Sequence, residues 1–94
     1  MKIKVDGSEI TARDINYKQK LELQGEFADV YSNGSENVKQ KDFNSLLGST
    51  AEIAFNNPKE YLKQFDYNFQ LKILTAILMN YMELSDASKK ENGD

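Results

Sequence analysis

The chain has 94 residues, with 12 lysines and arginines against 15 aspartates and glutamates, so its formal net charge is −3. This length holds one small domain, and the acidic balance argues against binding to phosphate backbones. Histidine, cysteine and tryptophan are absent from the sequence, which excludes disulfides, thiolate metal sites and histidine-based catalysis. The composition therefore favours a non-enzymatic domain that has no nucleic acid as a partner.

The first fifteen residues predict a β-hairpin. Ile3 and Val5 alternate with lysines before the pair Asp6-Gly7, and Ile10 lies on the returning strand. Asp-Gly is favoured in a type I′ turn, because both of its positions require a positive φ. So short a hairpin is not stable alone, so we expect one of its faces to pack on a helix.

A helix over 17–31 is predicted next, with Asn16 as its N-cap and Gln19 completing a capping box. The apolar residues that recur near the helical period predict its apolar face: Tyr17, Leu21, Phe27, Ala28, Val30 and Tyr31. Gly25 in its middle is explained either by the close approach of another element or by simple tolerance. Residues 32–37 contain no apolar side chain and predict a surface loop.

A second helix is predicted after a cap at Asn37, with Gln40 three residues later. Its buried face follows the spacing of an amphipathic helix: Phe43, Leu46, Leu47, Thr50, Ile53 and Ala54. Gly48 lies among serine and threonine residues, and this strip of small residues suggests that a neighbouring helix packs closely there.

Asn57 and Pro58 end the second helix and begin a short one over 58–64, with Asn57 as the cap and Pro58 at the first position. The last helix is predicted to begin after a cap at Asp66 or Asn68 and to supply most of the core: Leu71, Ile73, Leu74, Ile77, Leu78, Tyr81, Met82 and Leu84. The polar segment 87–94 predicts a disordered tail, which leaves a single domain over 1–86. The predicted fold class is α+β and mostly α, with the hairpin packed on three main helices and one short helix.

The acidic residues do not predict an active site. Glu26 is at helical spacing from Glu22 and Asp29, but we expect all three in solvent, where nothing raises a pKa. Three further carboxylates near the hairpin lack the ligand pattern of a calcium loop, and the glycines do not match the spacing of a phosphate-binding loop. We therefore expect no catalytic residue, no metal and no cofactor.

The first twenty residues carry five cations against three carboxylates. Ordinary solvated side chains explain this surplus better than a contact with an anion. The longest apolar run, 73–79, is interrupted by Thr75 and is short for a membrane span, and the alternating start of the chain is unlike a signal peptide. We expect a soluble, cytoplasmic protein with no membrane partner.

Aromatic residues are concentrated around the break before the last helix: Tyr61, Phe65, Tyr67 and Phe69 lie within nine residues. Rings at such a break usually fill the joint between two helices, and they are also favoured anchors of protein interfaces. Because the chain has no catalytic groups, we take these four as candidate partner-binding residues. The expected partner is another protein, and the composition is also compatible with a homo-oligomer.

The opening segment KIKVDGSEITARDINYKQKLEL and the closing segment FDYNFQLKILTAILMNYMEL resemble the small tail assembly chaperones and related tail-associated proteins of tailed bacteriophages. The resemblance implies a protein that binds the tape-measure or tail tube protein and prevents its premature polymerisation during virion assembly, without a nucleotide. It predicts a chaperone that shields an apolar segment of a tail protein in the host cytoplasm. The alternative is an acidic phage-encoded inhibitor that binds a host enzyme or occupies a nucleic-acid-binding site.

Overall fold

Two strands, four α-helices and one 3₁₀ turn make up residues 1–82, which are the residues that the computed structural model describes. Their order is β1 (Lys2–Val5), β2 (Ser8–Thr11), α1 (Tyr17–Val30), the 3₁₀ turn (Ser35–Asn37), α2 (Gln40–Ala54), α3 (Pro58–Leu62) and α4 (Tyr67–Tyr81). The predicted α+β, mostly helical fold class is confirmed. The predicted domain limit at residue 86, the tail over 87–94 and the core position of Leu84 lie outside the described residues.

The hairpin has the predicted two-residue turn. Val5 pairs with Ser8 in the antiparallel register, and Asp6 and Gly7 between them have φ values of 51° and 85°, as a type I′ turn requires. β1 packs against α4. The turn is also tied to that helix, because Lys72 Nζ lies 2.8 Å from the carboxylate of Asp6.

The predicted capping box of α1 is present. The side chain of Asn16 accepts from the backbone N–H of Gln19 at 2.7 Å, and the side chain of Gln19 accepts from the backbone N–H of Asn16 at 3.0 Å. These two bonds satisfy backbone donors that the first turn of a helix leaves free, so the start of α1 is determined locally.

The predicted apolar face of α1 is wrong in part. Leu23 is the buried residue of the helix, and Phe27 and Val30 are half-buried beside it, whereas Tyr17 and Leu21 lie on the opposite, solvent-facing side. Ala28 is exposed there as well. Within the described residues α1 packs mainly on α2, so the helix buries only a narrow face, and its apolar residues at helical spacing belong to two stripes.

α2 lies between α1 and α4, but it begins later than predicted. Asn37 is not its cap: this residue ends the 3₁₀ turn, and its side chain donates to the carbonyl of Asn33 at 2.7 Å. Lys39 occupies the N-cap position without a side-chain bond to the helix. Val38 has extended backbone angles, and this separates Asn37 from the first turn of the helix.

The buried face of α2 contains the predicted Leu46, Leu47, Thr50 and Ala54 and also Ala51. The close helix packing predicted at Gly48 is wrong, because Gly48 is exposed and a Cβ placed there would meet nothing within 4 Å. The same holds for Gly25 in α1. Simple tolerance therefore explains Gly25 better than the close approach of another element of this chain.

α3 begins at Pro58, and α4 begins directly after Asp66. Pro58 occupies the first turn of α3 as predicted, but Asn57 makes no capping bond, and the helix ends at Leu62 instead of residue 64. Of the two predicted caps of α4, Asp66 is the one used, since its side chain accepts from the backbone N–H of Phe69 at 2.8 Å.

The core is one cluster to which the hairpin, α1, α2, α3 and α4 all contribute. The predicted core face of α4 is confirmed within the described residues, with Ile73, Ile77 and Leu78 fully buried and Tyr81 2% exposed. No helix within residues 1–82 is long and apolar enough to cross a lipid bilayer.

Arg13 joins the end of the hairpin to the end of α2. Its guanidinium donates to the carbonyls of Glu52, Ile53 and Phe55 at 2.8, 3.0 and 3.1 Å, and its backbone N–H donates to the carbonyl of Ala54 at 2.8 Å. The last carbonyls of a helix have no partner within the helix. Arg13 alone donates a hydrogen bond to each of the four carbonyls at the end of α2.

Candidate protein-binding surfaces

Three of the four predicted partner-binding residues belong to a row of contacting rings, in which Phe55 and Tyr61 are stacked and the other two pairs meet edge to face. The ring of Tyr61 lies 4.5 Å from that of Phe55 and 5.7 Å from that of Phe65, and the rings of Phe65 and Phe69 are 5.2 Å apart. Tyr61, Phe65 and Phe69 are half-buried and pack against the core. This aromatic row fills the corner between α2, α3 and α4, and its rings are held by one another.

Tyr67 is separate from the aromatic row. Its side chain is 61% exposed, and among the described residues its ring pairs with no other aromatic ring. The helical geometry explains the difference, since Tyr67 is the first residue of α4 and its neighbour Phe69 lies about 200° further around the helix axis. The structure therefore divides the predicted group of four into three packed rings and one exposed ring.

We predict that this division is visible in stability measurements. Phe65→Ala should lower the free energy of unfolding by about 2 kcal/mol, because it removes a half-buried ring and its edge contacts. Tyr67→Ala should change the free energy by less than about 0.5 kcal/mol, as is usual for an exposed position. Urea unfolding followed by circular dichroism measures both values, and equal losses for the two variants would contradict the assignment.

An apolar groove lies beside Tyr67, between α2 and α4 with α3 at its edge. It has a volume of about 290 Å³, and none of its lining residues is charged. The lining residues are Asn44, Leu47, Gly48, Ala51, Leu62, Tyr67, Gln70, Leu71 and Leu74. Leu47, Ala51, Leu62 and Leu74 are buried, so the groove reaches the core, and Gly48 leaves its mouth open because it has no side chain. We call this feature the α2/α4 groove.

A second kind of surface lies on the other side of α2, where it meets α1. Two depressions there have volumes of about 360 and 260 Å³. Among residues 1–82, five carboxylates line them and no lysine or arginine does: Glu22, Glu26, Asp29, Asp42 and Glu52. All three α1 carboxylates were predicted to lie in solvent. Glu22 and Asp29 are exposed as predicted, whereas Glu26 is half-buried, and the fold brings the three to the same side of the molecule as Asp42 and Glu52.

Among residues 1–82 no group of three or more acidic side chains is arranged so that it could hold a metal ion. Of the carboxylates near the hairpin, Asp6 is paired with Lys72. Arg13, one of the five cations counted near the start of the chain, donates to the end of α2.

Sequence reasoning missed both the α2/α4 groove and the exposed stripe on α1. One signal for the groove was present: Leu47 and Ala51 on one helix, and Leu71 and Leu74 on another, repeat at i, i+4 and i, i+3, as residues facing a neighbouring helix do. The distance between the two helices decides which of these residues stay partly exposed to solvent. The residue pattern of a single helix does not reveal that distance.

Comparison with known proteins adds no assignment: no protein-family model, no curated protein and no solved structure matches the chain.

Proposed function

We propose that the chain is a non-enzymatic assembly factor that holds an apolar segment of another protein in the α2/α4 groove. The observation that carries the proposal is the uncharged groove with the exposed ring of Tyr67 at its edge. Binding grooves are mostly apolar and have a few polar groups that orient the ligand. Asn44 and Gln70 supply amides at this groove.

The opening and closing segments resemble phage tail assembly chaperones, and this resemblance supports phage tail assembly as the process in which the chain acts. The partner we propose is the tail tube or tape-measure protein, and the action takes place in the host cytoplasm before the tail polymerises. An apolar segment that is buried in the finished tail would be exposed to water before assembly, and a bound chaperone would shield it during that time. The absence of histidine and cysteine from the sequence supports an activity that depends on covering a surface and not on a reaction.

The test has two parts: whether tail tube or tape-measure genes lie beside the gene of this chain, and whether their products bind the chain in isothermal titration calorimetry. Gly48→Leu adds a side chain to a residue that lines the groove, at a position where a Cβ meets nothing within 4 Å among residues 1–82, and it should weaken binding by at least about 10-fold, which corresponds to 1.4 kcal/mol. It should not destabilise the fold, since leucine is favoured over glycine within a helix by about 0.5–1 kcal/mol.

Met79→Ser is the matched control, because Met79 is also exposed on α4, at 37%, but does not line the groove. It should bind like the wild type. Undiminished binding by Gly48→Leu, or gene neighbours unrelated to a tail, would contradict the proposal.

The five carboxylates between α1 and α2 favour the second candidate, an acidic inhibitor that covers a basic site on a host enzyme or a nucleic-acid-binding protein. The two functions differ in their dependence on salt, because attraction between exposed charges is screened at high ionic strength, whereas apolar burial is not. Affinity that falls steeply with salt, and falls further in Glu26→Gln, would favour the inhibitor. Affinity that is nearly constant with salt favours the assembly factor.

A further inference from the structure

The outer face of α1 is an apolar stripe that no other part of residues 1–82 covers. Tyr17 is 78% exposed and Leu21 is 50% exposed, and Gly25 and Ala28, which follow on the same side of the helix, are exposed too. The four positions are spaced by four, four and three residues, so they lie on one side of an α-helix. Most exposed apolar residues are scattered singly, but these form a row.

We propose that this stripe is where two copies of the chain pair, with their α1 helices antiparallel about a two-fold axis. Large side chains stand at one end of the stripe and small ones at the other, so only an antiparallel pair brings Tyr17 of each copy over Ala28 of the other. Leu21 then meets the surface left open at Gly25, where no atom of the described part of the chain lies within 4 Å of a Cβ position.

Charge supports the same arrangement. Lys18 and Asp29 are eleven residues apart, close to three turns, so they flank the stripe on the same side. Within residues 1–82 neither has an ion-pair partner. In an antiparallel pair the same flank of each helix faces its counterpart, which brings Lys18 of each copy to Asp29 of the other. A parallel pair would not make this match.

One symmetry axis satisfies all of these contacts. The pairs Tyr17 with Ala28, Lys18 with Asp29, and Leu21 with Gly25 are each centred within one residue of position 23. A two-fold interface uses the same patch on both copies and must be complementary to itself. The stripe meets this condition in shape, and Lys18 with Asp29 meets it in charge; the pairing does not depend on the function proposed for the α2/α4 groove.

An interface formed by one helix face is small, below about 1,200 Å² in total, and belongs among weak, reversible contacts. Sedimentation velocity between about 5 and about 500 µM protein should therefore show a reversible shift from monomer to dimer. A wild-type chain that stays monomeric over this whole range, or one that forms larger assemblies without a dimer, would overturn the proposal.

Gly25→Gln separates pairing from folding. Glutamine is a better helix former than glycine, and its Cβ meets nothing within 4 Å among residues 1–82, but its side chain occupies the place of Leu21 from the second copy. It should raise the dimer dissociation constant by at least about 10-fold, which is 1.4 kcal/mol. The matched control is Gly48→Gln on α2, an equally open helical glycine, which should leave the constant unchanged. Equal effects of the two variants would contradict pairing through α1.

A charge exchange tests the antiparallel direction. Lys18→Asp alone and Asp29→Lys alone each place like charges opposite one another and should each weaken the dimer by about 3- to 5-fold, as expected for exposed ion pairs. A mixture of these two variants restores both pairs in a heterodimer, so it should associate about as tightly as the wild type. A mixture that associates no better than the single variants would overturn the antiparallel arrangement.

Discussion

Tyr81→Ala is expected to lower the free energy of unfolding by about 3–5 kcal/mol, the range for loss of a large buried ring. Tyr81 is 2% exposed in the last turn of α4, and its hydroxyl donates to the backbone carbonyl of Arg13 at 2.5 Å. Alanine would leave a cavity in the core and that carbonyl without its partner. Urea unfolding followed by circular dichroism measures the loss, and a value below about 1 kcal/mol would show that the ring does not support the core.

Tyr81→Phe isolates the hydroxyl. At neutral pH it should lower the free energy of unfolding by about 1 kcal/mol, the usual value for one intramolecular hydrogen bond. Burial, opposed by Arg13 and reinforced by Asp14, raises the pKa of Tyr81 to about 12 from its ordinary value of 10.0. The folded state therefore holds the phenolic proton more tightly than the unfolded state does.

The pH dependence follows from that difference. A group whose pKa is raised by folding stabilises the fold below its unfolded pKa, and this stabilisation is lost as the pH rises through the folded value. The advantage of the wild type over Tyr81→Phe should thus be complete below about pH 10, vanish soon above it and be reversed by about pH 12, because a pKa raised by about two outweighs a bond of about 1 kcal/mol. Parallel stability curves for the two proteins over that interval would contradict this account.

Arg13→Ala is expected to lower the free energy of unfolding by about 2 kcal/mol, because it removes three charge-assisted hydrogen bonds and a cation from the end of α2. The guanidinium is largely exposed, so water replaces part of what is lost, and the effect stays below that of Tyr81→Ala. Thermal or urea unfolding measures it. No change in stability would mean that water satisfies the carbonyls of Glu52, Ile53 and Phe55 equally well.

Arg13→Lys is the matched control for charge. Lysine keeps the positive charge near the negative end of the helix dipole but cannot reach several carbonyls at once, because it lacks the planar fork of arginine. It should recover about half of the loss caused by Arg13→Ala. Full recovery would show that the charge alone matters, and none would show that the hydrogen-bond geometry does.

The candidate binding surfaces could be predicted only in part. The concentration of rings near the start of α4 was visible in the sequence, but Phe65 and Tyr67 look equivalent there, and the fold packs one and exposes the other. In α1 the apolar residues at helical spacing describe two stripes, and the sequence does not say which one meets α2. The burial of Leu23 and the exposure of Tyr17 and Leu21 follow from docking, which depends on residues far along the chain.

The sequence by itself determined several features that rest on contacts within a few residues: the Asp6-Gly7 turn, the Asn16 capping box and the apolar face of α4, whereas it left the cap of α4 open between Asp66 and Asn68. Tertiary structure decided the rest: the junction of Arg13 with the end of α2, about forty residues away, the α2/α4 groove and the open face of α1. The physical reason is how far apart in the sequence the interacting residues lie. Turns and caps are set by local backbone geometry, whereas a groove or an exposed stripe is what remains after distant elements have packed together.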